Sequence, residues 1–330
     1  MSDPVIVLPH LYQVQIPTPF PVGPVNVYVA QDSTGLTLVD CGPRTPQARA
    51  ALEAGLRAIG QSVRDVCRIF VTHAHADHYG LAGDMVAGAP ASVQVFTHPF
   101  NLPTLENYAD ERDRRNAFYA DVLNWAGVPA PVLAAIAGMR HGVAEYASEV
   151  HVTGGLNDGD RVTLAGREWQ ILHTPGHSSG LVCLVEPRSR VLLSSDHLLR
   201  DISSNPLVEP PPPGHAEKFR SLVEYIAQLR RVAAMDVSTA WPGHGEPIHD
   251  VADLVRERTA FHVRRSERIL GLLDGKALTA YEIAQRLFPK LDPLNFFLAI
   301  SEVLGHLEVL ETEKRVTSTR RDGVMMWHVR

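Results

Sequence analysis

The sequence predicts an α/β protein: an enzyme-sized body over residues 1–250 and a smaller module over 251–330. Three observations predict it. β-branched runs alternate with Ala- and Leu-rich periodic segments over the first hundred residues, four more β-like runs lie between 160 and 196, and beyond Asp250 the order changes to helix, helix, helix, hairpin.

In chain order, "VNVYVA" and "LTLVD" read as two strands joined by the turn "QDSTG", and "PQARAALEAGLRAI" (46–59) reads as a helix, with Pro in its first turn and Gly60 after it. The strand "CRIFVT" follows, then a short helix from about His78 to Ala87, then the strand "SVQVFTH". Residues 101–147 form a helical insertion. Its uncharged stretch, Val122 to Met139, approaches membrane-spanning length, but Asn124, Gly127, Pro129, Pro131 and Gly138 divide it into two short helices. Strands resume with "DRVTLAG", "EWQILH", "LVCLVE" and "RVLLSSD". The polyproline stretch 211–214 leads into an amphipathic helix over 216–231 and the strand "DVSTAW". In the tail, a helix over 252–273 precedes "LTAYEIAQRLF", where Thr279 is a cap with Glu282 three residues on, then "PLNFFLAISEVLGHLEVL" and a terminal hairpin. That is the order of a winged helix.

With 31 Lys plus Arg against 37 Asp plus Glu, the whole surface is not built to grip phosphate backbones. From Arg256 onward the balance is 13 against 10, a mildly basic tail, but the third tail helix around Glu302 and Glu308 is not basic. Nucleic-acid reading therefore has weak support there, and packing or homo-oligomerisation suits the module better. Cys41, Cys67 and Cys183 are odd in number and widely spaced, so no disulfide framework is expected. The first ten residues lack the hallmarks of a secretory signal. A cytoplasmic protein without a membrane segment is the expectation.

The chemistry concentrates in "VTHAHADHYG" (71–80). If the strand from Val66 runs on to His75, His73 and His75 share a face and converge, while Asp77 and His78 approach from the turn into the next helix and serve a second cation. Three more apolar runs end on a ligand type: "TPGHSSG" presents His177, "VLLSSD" presents Asp196 and "PGHG" presents His244. Imidazole and carboxylate donors suit zinc, and iron or manganese is tolerated by the same set.

Together, "HAHADH", "TPGHSSG", Asp196 and "PGHG" resemble the metallo-β-lactamase superfamily over residues 5–250. The resemblance implies an αββα sandwich with two divalent metals at one edge. His73, His75 and His177 would hold the first metal and Asp77, His78 and His244 the second, with Asp196 bridging. Asp77 and Asp196 would orient a hydroxide shared by the two metals, and Asp40 in "LTLVDCG" would support the ligands from behind. Within the superfamily the chain resembles glyoxalase II-like hydrolases and the β-lactamase-like protein 2 group with a C-terminal winged helix. A small-molecule ester substrate, a thioester foremost, is implied. The alternatives are a single-stranded RNA endonuclease, a lactonase, or a metal-stabilised regulatory protein acting through the winged helix. Tyr108, Arg112, Arg114, Arg115, Phe118, Tyr119 and Trp125 of the insertion either cap the metal edge or form a solvated helix face. His98 and His173 read as structural strand-end residues, and His197 and His215 as loop residues that are solvated or face substrate.

Overall fold

Strands buried on both faces explain the near-continuous apolar runs of this chain. The computed structural model describes residues 3–89, 92–139, 143–212, 214–289 and 296–330. A seven-stranded sheet runs in the order β1 (Val5–Leu8), β2 (Leu11–Ile16), β3 (Val25–Asp32), β4 (Gly35–Val39), β5 (Val66–Val71), β6 (Gln94–Thr97) and β7 (Gly154–Gly155). Pairing is antiparallel up to β4 and parallel from there on. A second sheet comprises β8 (Arg161–Leu164), β9 (Arg167–His173), β10 (Val182–Glu186), β11 (Val191–Ser195) and β12 (Thr239–Pro242), antiparallel except for the β11/β12 pair.

The alternation of side chains assigns each residue to a layer. Val39 and Phe70 face Trp169, Ile171, Leu184 and Leu193 between the sheets. Their neighbours Leu38 and Ile69 turn outward, under Leu52 and Leu56 of α1 (Pro46–Ala58). On the other side Leu172, Cys183 and Leu192 meet Leu222, Tyr225 and Leu229 of α7 (Ser221–Ala233) and Val255 of α8 (Val251–Leu272). Helices thus cover both outer faces, which is the expected αββα sandwich.

Between β5 and β6 lie α2 (Ala76–Tyr79) and α3 (Ala82–Gly88), two short helices where the sequence suggested one. The insertion forms α4 (Leu102–Glu106), α5 (Tyr108–Trp125) and α6 (Ala130–Met139), and Pro131 falls in the first turn of α6, where its missing N–H is tolerated. Its residues 140–142 lie outside the described residues, as do Pro213 of the polyproline stretch and residues 290–295 before the third tail helix. The tail continues with α9 (Ala280–Leu287), α10 (Phe296–Thr312) and the hairpin β13 (Val316–Arg321) and β14 (Val324–Val329). Thr279 and Glu282 cap α9 reciprocally, at 3.1 and 2.8 Å.

Three expectations are corrected. An additional hairpin, β1/β2, opens the chain. The first strand of the ligand motif stops at Val71 rather than His75, because Asp40 captures the backbone N–H of Thr72 at 2.8 Å and His75 is the N-cap of α2. Helix α7 begins at Ser221 rather than 216. Lys218 and Arg220 instead reach across to Glu308 (2.5 Å) and Glu311 (2.9 Å) of α10 and hold that stretch outside the helix. Among the described residues no helix is long and apolar enough to cross a membrane.

The tail and the insertion share one core: Val122 and Leu123 of α5 and Ala126 at its C-terminal cap pack with Ile269, Ile283, Leu304 and Leu307. Close by, His306 donates through Nδ1 to the carbonyl of Glu302 at 2.7 Å and lies 3.3 Å from His262. Burial first, and then the neighbouring imidazole and arginines, push His262 down to about 3. Burial likewise takes His306 down to about 4, against the Glu302 carbonyl. In the unfolded chain both titrate near 6.5, so below that pH the unfolded state takes up protons that the fold refuses. The contribution of this pair to stability should therefore fall as pH drops from about 6.5, by about 1.4 kcal/mol per pH unit for each histidine, levelling off near 4 for His306 and near 3 for His262. Chemical unfolding of wild type and His306→Asn across pH 7.5 to 4.5 checks this, and the variant should show the shallower decline.

Candidate metal centre

The carboxylate of Asp40, just past β4 with φ +61°, accepts three hydrogen bonds. Thr72 N and Thr72 Oγ1 donate at 2.8 Å each and His78 Nδ1 at 2.7 Å. A carboxylate only accepts, so His78 carries a proton on Nδ1 and turns Nε2 inward, the nitrogen that is bare when the ring is neutral. The Thr72 hydroxyl, having donated to Asp40, accepts from His73 Nδ1 at 3.1 Å, which leaves His73 Nε2 bare as well. Backbone carbonyls orient the other rings. Pro24 O receives His244 Nδ1 at 2.8 Å, and Ser204 O receives His177 Nδ1.

The inward atoms converge. His73 Nε2 and His177 Nε2 each lie 3.0 Å from His75 Nδ1. His244 Nε2 is 3.4 Å from Asp77 Oδ2. Asp196 stands between the groups, with Oδ1 3.5 Å from His78 Nε2 and Oδ2 3.5 Å from His177 Nε2 and 3.7 Å from His244 Nε2. Among the described residues, donor atoms within 4.8 Å of one another form three sets: His73, His75 and His177; His73, His78 and Asp196; and Asp77, His78 and His244. All seven residues expected from the sequence are thus brought together, although His73 and His75 meet through a bend rather than along a strand.

The charge states of His73, His75, Asp77 and Asp196 suit cation binding. Burial, reinforced by neighbouring histidines, lowers His73 well below its ordinary range and takes His75 down to about 3, so both are neutral donors. Burial pushes Asp77 and Asp196 upward, but His78, His244 and the other imidazoles outweigh it, holding Asp77 at about 2 and Asp196 well below the usual carboxylate range. Burial lowers His78 and His244, yet the surrounding carboxylates prevail and raise both, so without a cation these two rings favour the protonated form and metal binding would release a proton from each. Among the described residues, His78 Nε2, Asp196 Oδ1 and His244 Nε2 are buried without a hydrogen-bond partner. Such atoms are costly to bury, and a cation satisfies all three. For a tetrahedral ion with nitrogen ligands at about 2.05 Å, donor atoms lie roughly 3.3 Å apart, close to the spacing of the His73, His75 and His177 nitrogens.

Glycine permits the close approach in both Pro-Gly-His turns. A Cβ on Gly243 would lie 2.2 Å from Asp196 Oδ1, and one on Gly176 would lie 2.6 Å from Tyr225 Cα, at a φ of +148°.

A cavity of about 1080 Å³ opens beside His75. Tyr79, Phe100, Tyr108, Arg112, Arg115, Tyr119 and Leu123 line it, with Ser178, Ser179 and Glu209 at the His177 loop. Of the insertion residues singled out in the sequence, Phe118 and Trp125 pack instead on the core shared with the tail, and Arg114 grips Glu111. His98 and His173 stack face to face at 3.8 Å behind the His177 loop, where His173 Nε2 donates to Ser179 O at 2.8 Å. His197 is fully buried against Tyr225 rather than solvated, while His215 is exposed beside Phe100. Sequence reasoning missed Ser195, Ser204, Glu209 and the carbonyl of Pro24. A backbone carbonyl leaves no trace in residue type, and only the hydroxyl of Thr72, adjacent to His73, offered a signal.

The model of the metallo-beta-lactamase superfamily matches residues 20–244. The chain belongs to the metallo-beta-lactamase superfamily. Among relatives in this superfamily, a probable metallo-hydrolase of Bacillus subtilis, YqjP, is 35% identical over 92% of this chain and 93% of its own. A solved metallo-beta-lactamase family protein from Thermus thermophilus superposes with a TM-score of 0.80 at 29% identity, covering 98% of this chain and all of that one. A beta-lactamase domain protein from Burkholderia ambifaria gives 0.82 at 25% identity, over 99% and 94%. This metallo-beta-lactamase superfamily member is a metallo-hydrolase, and its His/Asp cluster is of the kind that binds divalent metals.

Two substitutions test the centre. Asp196→Ala should abolish hydrolysis and reduce metal retained after desalting, and Gly243→Ala should do the same by displacing that carboxylate. Elemental analysis with thermal unfolding checks both, since an intact fold with reduced metal is the expected outcome.

Proposed function

We propose that His73, His75 and His177 hold one divalent metal and Asp77, His78 and His244 a second, with Asp196 shared, for hydrolysis of an ester-like carbonyl, a thioester foremost. The observation that carries this reading is the set of unpartnered, inward-facing donor atoms of His78, Asp196 and His244 in a buried cluster at the cavity. Zinc suits the donors best, and iron or manganese is accepted by the same atoms. Bound at this pair of sites, the metals would supply a water-derived nucleophile at neutral pH and polarise the carbonyl.

The protein's own residues do the rest. Ionised Asp77 and Asp196 orient the attacking water by accepting its hydrogen bonds. Ser178, buried beside His177 with a hydroxyl lacking a hydrogen-bond partner among the described residues, offers a donor to the substrate. Tyr79, Phe100 and Leu123 give the cavity the apolar surface that an acyl group requires. A relative from Emericella nidulans, 21% identical over 75% of this chain and 54% of its own length, is named a thioesterase, which supports the substrate class.

The C-terminal module fits a supporting role better than nucleic-acid reading. Eleven of the seventeen residues of α10 are buried, and its Glu302, Glu308 and Glu311 pair with Arg265, Lys218 and Arg220. A groove-reading helix needs an exposed basic face instead.

Elemental analysis should find two divalent metals per chain. A panel of acyl-glutathione, acyl-CoA, acyl-homoserine lactone and single-stranded RNA should then show turnover highest for the thioesters. RNA cleavage without thioester turnover would overturn the proposed substrate class, and a stable native protein that takes up no metal would overturn the ligand assignment.

A further inference from the structure

Glu209 belongs to no recognisable motif, lies between β11 and α7, and is only 3% exposed. Its two carboxylate oxygens serve different elements. Oε2 accepts the backbone N–H of Ser179, two residues beyond His177, at 2.8 Å. Oε1 receives Arg115 Nη2 of α5 at 2.5 Å. Arg115 is also 3.5 Å from Glu111, and Glu111 is held through both oxygens by Arg114, at 2.7 and 2.8 Å. Arg114 in turn donates to Pro211 O at 3.3 Å. Two consecutive arginines of α5 therefore grip the 209–211 segment.

That segment is continuous with Ser204, whose carbonyl orients the His177 ring. Residues 204–209 thus set both the orientation of His177 and the backbone just after it. At its other end the linkage reaches the cavity, because α5 is the cavity wall and Arg115 and Glu209 are themselves among its lining. Helix α5 is in turn seated on the core of the C-terminal module through Val122, Leu123 and Ala126.

A buried ion pair is weak evidence for stabilisation, since the desolvation of both partners offsets most of their attraction. Here one carboxylate spends its second oxygen on the backbone of the ligand loop, which a fold staple alone does not require. We propose that Glu209 is a positioning residue that couples the placement of α5, and hence occupancy of the cavity, to His177 and the cation held by the His73, His75 and His177 cluster. This rests on the metal assignment proposed above.

The test is cobalt(II) titration of the full-length protein, followed by its visible absorption band and by calorimetry, for wild type, Glu209→Gln, Arg115→Met and the double variant. Glutamine keeps an acceptor for Ser179 N–H but loses the charge pairing with Arg115. Loss of ligand-orienting contacts typically weakens metal affinity by roughly 10- to 100-fold. Glu209→Gln should weaken one metal equivalent by that factor and shift its absorption band, leaving the other unchanged. Arg115→Met should act in the same direction, and the double variant should be no weaker than the worse single one, since both cut the same link. The double variant also lacks the stranded guanidinium, so its thermal midpoint separates fold damage from loss of positioning. Equal weakening of both equivalents, no weakening of either, or additive effects would overturn the coupling. A wild-type protein that takes up no cobalt would overturn the ligand assignment itself, a result visible before any variant is made.

Discussion

Three hydrogen bonds to the carboxylate of Asp40 organise the rest of the centre. This buried group ties the end of β5 to the end of β4 through Thr72 N, fixes the proton of His78 on Nδ1, and fixes that of His73 through the hydroxyl of Thr72. Hydrogen bonds to a charged acceptor contribute roughly 1.5–3 kcal/mol each, enough to hold a strand end in a bend that the apolar pattern alone would continue. Without that capture, the strand would run on and Asp77 and His78 would leave the position from which they face His244.

The two sheets account for the site's location. Parallel pairing of β4 with β5 and of β11 with β12 brings the ends of those strands to one edge of the sandwich. Asp40, Thr72 and Asp196 directly follow those strand ends, and the "PGHG" turn begins at the last residue of β12. The interior between Phe70 and Trp169 is apolar and closely packed, and the buried titratable ligands gather where the strands stop. A cluster of bare nitrogens and ionised carboxylates at that edge is unfavourable by itself, and divalent cations convert it into a satisfied one.

Substrate-facing features come from elsewhere in the chain. Helix α5 has a charged sequence with no clear apolar face, yet one side of it lines the cavity and another enters a core with α9 and α10. The helical insertion and the C-terminal module are therefore parts of one arrangement around the cavity, with Gly127 of the insertion against Thr279 of the module and the backbone N–H of Tyr281 bonded to Ala126 O. The module has a capped helix, α9, and its own hairpin, both written in local sequence. Its apolar contacts with the insertion were not legible, because nothing in local periodicity says which partner an apolar face will find.

By itself the sequence determined the α/β class and the ligand types, because apolar runs end on His or Asp, while the αββα layering and the grouping of the ligands were implied by the resemblance that those motifs carry. It also determined the capping of α9, a local interaction between residues three apart. Only the tertiary structure decided where β5 stops, which nitrogen of each imidazole faces inward, and that Glu209 joins α5 to the His177 loop. The physical reason is range. Periodicity, caps and motif spacing are written in neighbouring residues, whereas Asp40 with Thr72, Pro24 O with His244 and Glu209 with Arg115 join groups 32, 220 and 94 positions apart, one of them a backbone carbonyl that every residue carries.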